Sequence, residues 1–190
     1  MFKRSVVATA LAAVLVVAGG SGVAASADTT PIDPYLLQVA NGEAPTNPTS
    51  QVQPRGVAPR AGGSTSYAVT CTGQIQDPHY ASGAGGAIAK VDVTCKGSGV
   101  SSVSVRARGL LTFAPSSSAT NTNVTFSNRA TSDQTQTVAV NGAAKTYYLP
   151  QVGSNGGRGT GFWRATFTWQ ITSLPNATVG SDTKTIWKTI

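Results

Sequence analysis

Few side chains in this 190-residue sequence could carry chemistry, and their spacing supports little of it. His79 is the single histidine, so a Ser-His-Asp or Cys-His arrangement would have to run through it. It lies in Asp77-Pro78-His79-Tyr80, which reads as an exposed loop, and no GxSxG elbow offers a nucleophile. A metal centre needs three or four ligands, and one histidine with two cysteines lacking CxxC spacing supplies too few. The acidic residues after position 62 are Asp77, Asp92, Asp133 and Asp182. Asp92 falls on the polar side of an alternating run, and the others sit in turn-like contexts where aspartate caps its own backbone. No pair stands at a spacing suited to acid/base work. The expectation is a protein without catalytic residues, metal or cofactor.

Binding is better provided for. Residues 63–190 hold ten Lys and Arg against four Asp, a balance that draws a domain to anionic polymers such as wall teichoic acids or to acidic membrane surfaces. The plainer reading is solubility, because these charges are scattered singly along the chain. GSNGGRGTG (153–161) is the one glycine-dense loop. Its amides could form an anion nest beside Arg158, but it leads into a strand and gains no helix dipole. It reads instead as a flexible hairpin tip presenting Arg158 beside Phe162 and Trp163. Trp163, Phe167 and Trp169 alternate as a core face does, which leaves Trp187 freer to stack on sugar. Arg106, Arg108, Arg158 and Trp187 are therefore the candidate surface-binding residues, for a cell-wall polymer or carbohydrate rather than nucleic acid.

These residues need elements to position them, and the chain divides into three parts. Lys3 and Arg4, the apolar run Val6–Ala18 and Ala25-Ser26-Ala27 have the form of a secretory signal cleaved before Asp28. The apolar run is shorter than the roughly 20 residues that span a bilayer, and no later stretch could cross one. A secreted, extracellular protein is expected. In that oxidising setting Cys71 and Cys95 read as a disulfide, worth about 3.5 kcal/mol in the chain-entropy model for a 25-residue loop.

Residues 28–62 contain six of the ten prolines, at 31, 34, 45, 48, 54 and 59. Proline removes a backbone donor and fixes φ, so no regular helix or strand is expected to run through this arm. Within it, Ile32, Tyr35, Leu36, Leu37 and Val39 are too apolar for an inert spacer and must pack against something. They could dock a protein partner by strand addition or groove binding, fold back over an edge of their own domain, or belong to a removed pro-segment.

From residue 63 onward the pattern is a period-two alternation broken by Gly, Ser and Asn. Candidate strands are 65–71, 87–95, 100–108 with a continuation or bend into 110–115, 123–127, 134–140, 145–150, 162–172 and 184–190. They predict an all-β domain over 63–190, an antiparallel immunoglobulin-like β-sandwich of about seven or eight strands with one disulfide, preceded by a disordered extension. Asn141-Gly142 suggests a hairpin between two of the strands.

The plan of signal, proline-rich arm and small disulfide-bonded β-domain resembles the small secreted β-sandwich proteins of actinobacterial type. Within those it is similar to the adaptor subunit of umbrella toxin particles, with PIDPYLLQVANG (31–42) in the position of the arm. The resemblance implies a non-enzymatic adaptor whose arm, residues 31–40, contacts a secreted protein partner such as another subunit of a toxin complex. The alternative is a cell-surface or carbohydrate-binding module that uses the basic face and exposed aromatics.

Overall fold

A computed structural model describes residues 31–52 and 66–190. The signal-like segment 1–27, the residues up to 30 and the stretch 53–65 lie outside the described residues. In chain order the elements are α1 (Pro34–Asn41), β1 (Thr49–Val52), β2 (Ala68–Ala81), β3 (Gly86–Ser98), β4 (Ser102–Pro115), β5 (Ser127–Ala139), β6 (Asn141–Leu149), β7 (Thr160–Ile171) and β8 (Val179–Thr189). The strands form two antiparallel four-stranded sheets, β1-β2-β3-β6 (sheet 1) and β5-β4-β7-β8 (sheet 2). The layering is that of an immunoglobulin-like sandwich. Its disulfide differs from that of an antibody domain, because Cys71 and Cys95 are direct cross-strand neighbours within sheet 1.

The core follows from the alternation. Trp163, Ala165, Phe167, Trp169 and Ile171 of β7 face inward and meet Val69, Val91, Val93, Tyr147 and Leu149 of sheet 1. Two of the large rings also join the sheets by their polar tips. Tyr147 Oη donates to Val105 O at 3.0 Å, and Trp169 Nε1 donates to Cys71 O at 3.3 Å. The Trp169 indole needs the space that Gly73 leaves in the facing sheet, where a Cβ would stand 2.6 Å from the ring.

Both sides of the sandwich are closed. On one side β5 passes into β6 through Val140 alone, so the chain changes sheet there, and Asn141-Gly142 opens β6 rather than capping a hairpin. On the other side β1 lies between the sheets. It pairs with β2, while Asn47 N donates to Ser181 Oγ at 3.0 Å, Thr178 N to Gln51 O at 3.0 Å and Ser50 Oγ to Thr178 O at 2.6 Å. Beyond the start of β1, the edge of β2 is broken by the Gln76/His79 bulge, which contains Pro78, and Asp77 pairs with Lys184 of β8. Such features discourage pairing with a foreign strand.

The arm departs from expectation. Residues 34–41 are helical and 49–52 are a strand of the sandwich, so regular structure does run through the proline-rich part. Pro34 occupies the first turn, where its missing N–H has no intrahelical partner to lose, and its fixed φ suits a helix start. Gly42, at φ 77°, closes the helix in a Schellman turn: Glu43 N donates to Gln38 O at 2.8 Å and Gly42 N to Val39 O at 3.1 Å. Strand bounds also differ: β2 runs on through 72–81, 134–140 merges with 127–133 as β5, and 123–126 is not a strand.

Candidate functional site

The site is built around the seat of α1 on the outer face of sheet 2. In β4, β5 and β7 the outward positions include Arg106, Arg108, Asp133, Thr166 and Arg164. α1 covers the middle of this face: Leu36, Ala40 and Leu110 form a small buried cluster, with Ile32 and Leu37 half-buried against it. Both ends of the helix are fastened by side chains distant in sequence. At the N-terminus Asp33 Oδ1 accepts from Tyr35 N at 3.0 Å and Leu36 N at 3.1 Å, while its Oδ2 pairs with Arg108. At the C-terminus Arg164 Nη1 donates to Ala40 O at 2.7 Å, placing a cation at the negative end of the helix dipole. Arg164 also lies 3.7 Å from the centre of the Phe126 ring, and burial lowers its pKa.

Between the start of α1, strands β4 and β5 and the loop after β6 lies a groove of about 580 Å³. Its walls include Arg106, Arg108, Arg129, Asp33, Asp133 and Ser132. Thus folding gathers arginines that look scattered in the sequence. Arg106 grips Asp133 with two hydrogen bonds, Nε–Oδ1 at 2.7 Å and Nη2–Oδ2 at 2.5 Å. Arg108 stands between Asp33 and Asp133, the latter 3.6 Å away. The Arg106 guanidinium holds the Asp133 carboxyl below its usual range, so it stays ionised and is a poor proton donor. Arg129 is exposed and has no carboxylate partner among the described residues; its guanidinium lies over the Phe113 ring at 4.8 Å. Ser132 is 8% exposed, and its Oγ has no hydrogen-bond partner. A smaller hollow of about 120 Å³ lies across the Asp33–Arg108 pair, beside Tyr35 and Gln170.

The candidate residues fall in several places. Cys71 and Cys95 are bonded and fully buried. Leu36 and Val39 are buried, while Ile32, Tyr35 and Leu37 are half-buried, so the apolar cluster has folded back. It covers the face of sheet 2 rather than an edge. Arg106 and Arg108 share the groove. Arg158 does not project from a free hairpin tip: its Nη2 donates to Tyr80 Oη at 2.8 Å and its Nε to Gly85 O at 3.0 Å. The glycine-dense loop is pinned to the start of β3, with Gly156 N and Ala87 O at 2.8 Å and Asn155 Nδ2 on Ala84 O at 2.6 Å. Trp187 is 37% exposed at the far end of the outer face.

Sequence reasoning missed Asp33, Arg129, Ser132 and Arg164. Asp33-Pro34 was a legible helix-start signal; the other three acquire their roles only through strand adjacency. Among the described residues no three His, Cys, Asp or Glu side chains are placed to hold a metal, and no helix is long and apolar enough to cross a membrane. No protein-family model, curated protein or solved structure matches the chain at a significant level.

Proposed function

We propose that this chain is a secreted, non-enzymatic binding protein whose groove beside α1 takes an anionic group of an extracellular polymer. The observation that carries this reading is the convergence of Arg106, Arg108 and Arg129 on one groove with two carboxylates, which leaves Arg129 uncompensated. The occupied pairs are rigid walls, since each guanidinium is held by its own aspartate. Arg129 is the groove cation that has no carboxylate partner among the described residues. A phosphate or carboxylate carried on a sugar or glycerol backbone meets that need. Secretion is supported by the signal-like start and by the disulfide.

The test is calorimetric titration with poly(glycerol phosphate) and, as a control, with uncharged dextran. Binding to the phosphate polymer should weaken as salt rises and fall about tenfold in Arg129→Gln, the loss of one charge-assisted contact. Equal binding by the variant, or equal affinity for dextran, would count against the groove.

A second reading keeps the arm as the contact. Ile32, Tyr35 and Leu37 retain exposed surface beside the groove and the hollow, so a secreted protein partner, such as another toxin-complex subunit, would meet α1 in its folded place. Capture of one such protein by the intact chain, lost in Tyr35→Ala with Leu37→Ala, would favour it.

A further inference from the structure

The far end of the same outer face has a different character. Phe162 of β7 and Trp187 of β8 are direct cross-strand partners. Trp163 beside Phe162 is buried in the core, so Phe162 and Trp187 both face outward. The position of the indole can be worked out from its hydrogen bond. Trp187 Nε1 donates to Ser116 O at 3.2 Å, and Ser116 follows the end of β4, two strands away from β8. Two strand spacings are roughly 9.6 Å. A side chain standing upright on β8 could not reach that carbonyl, so the indole lies across the sheet. The indole thus crosses the row of Phe162 and, 37% exposed, keeps part of its surface open to solvent. Ala114, the outward residue of β4 in this row, is fully buried.

Phe126 of the same region is not free in this way, since Arg164 occupies its ring face. The open aromatic surface is that of Trp187 with half-buried Phe162 at its side. On β8 it is flanked by Thr185 and Thr189, both exposed and both on the outer face. A flat ring with open surface and hydroxyls to either side is complementary to a sugar ring whose hydroxyls are all equatorial. Such a pyranose presents a C–H face to the indole and its hydroxyls to the rim.

We infer that Trp187 and Phe162 form a second binding site, on which an equatorially substituted hexopyranose of a neutral polysaccharide stacks. The site is separate from the anion groove. Arg108 pairs with Thr168 and Trp187 with Phe162, six residues apart on β7, which places Arg108 and the indole roughly 20 Å from each other. The inference therefore stands whether or not the groove takes an anion.

The three tryptophans make the test specific. Trp163 and Trp169 are fully buried, so a change in emission on adding sugar reports on Trp187. The full chain is titrated with cellohexaose and with chitohexaose, following tryptophan emission and heat. At least one should shift the emission to shorter wavelength as it binds. Trp187→Ala should weaken that binding roughly thirtyfold, as loss of a central tryptophan anchor does, while Trp187→Phe retains part of it. The melting temperatures of both variants show that they are folded. Arg129→Gln should bind the sugar as the parent does, which separates this site from the groove. The inference is overturned if neither sugar binds, if heat is released with no change in emission, or if Trp187→Ala binds unchanged. It is also overturned if sedimentation shows a dimer that Trp187→Ala dissolves, because the ring would then be covered by a second copy.

Discussion

Removal of the Leu36 side chain tests whether the arm belongs to the fold. Leu36 is 2% exposed and packs with Ala40 on Leu110, which is 1% exposed. Leu→Ala changes at buried sites cost about 2–5 kcal/mol, depending on how far the surroundings close the void. Here the void lies under an eight-residue helix that can settle toward the sheet, so a value near the low end, about 2.5 kcal/mol, is expected. In a chain of this size that is a fall of about 5–10 °C in melting temperature. A second route gives an upper limit. If α1 lifts away as a unit, the loss cannot exceed the free energy with which it is seated, and the sandwich stays folded. Urea titration gives the total, and hydrogen exchange separates the routes: lift-off removes protection from the amides of 37–41 and leaves β4 and β7 protected. Leu37→Ala, at a half-buried position, serves as the control and should cost less than about 1 kcal/mol. If Leu36→Ala changes neither the urea midpoint nor the protection of α1, the helix is not seated there, and a freely docking arm becomes the better description.

Asp33→Ala removes the helix cap and the Arg108 partner together and should cost about 1–2 kcal/mol in urea titration. Asp33→Asn keeps the cap oxygen and should recover most of that. Gly73→Ala places a Cβ 2.6 Å from the Trp169 indole, so we expect a loss of about 1–3 kcal/mol and an altered near-ultraviolet circular dichroism signal. The Asp133 carboxyl is held low, first by its hydrogen bond to Arg106, and its contribution is therefore present above the unfolded value of about 3.9. That contribution is lost as pH falls through the lower folded value. The pair is well exposed, so the effect is below about 1 kcal/mol; Asp133→Asn should flatten the acid limb of a stability–pH curve by that amount.

The sandwich was legible because its evidence is local. The alternation from Trp163 to Ile171 needs only a period of two, and Cys71 and Cys95 needed only an oxidising setting to be paired. The arm departs from expectation because proline does not break a helix wherever it stands. Pro34 follows an N-cap aspartate and Asn41-Gly42 follows eight residues later, so the start and stop of a short helix were both written in the sequence. β1, four residues long between Pro48 and a further proline, gives no usable period. The groove was not legible at all. It requires β4 to lie beside β5 and α1 to lie on β4, and no local rule brings Asp33, Arg108 and Asp133 together. Trp187 reads as free in the sequence, but only the Ser116 hydrogen bond shows that its indole reaches across the sheet.

The seat of β1 between the two sheets has a consequence for the order of events as the chain is made. Asn47 and Ser181, which meet at the closed side, are 134 residues apart. Synthesis proceeds at about 5–20 residues per second, so roughly 7–27 s separate the appearance of the two. For most of that interval α1 and β1 have emerged while β8, against which both also rest, has not. The earliest part of the domain is therefore among the last to find its place, and the chain is kept open until its C-terminal strand arrives.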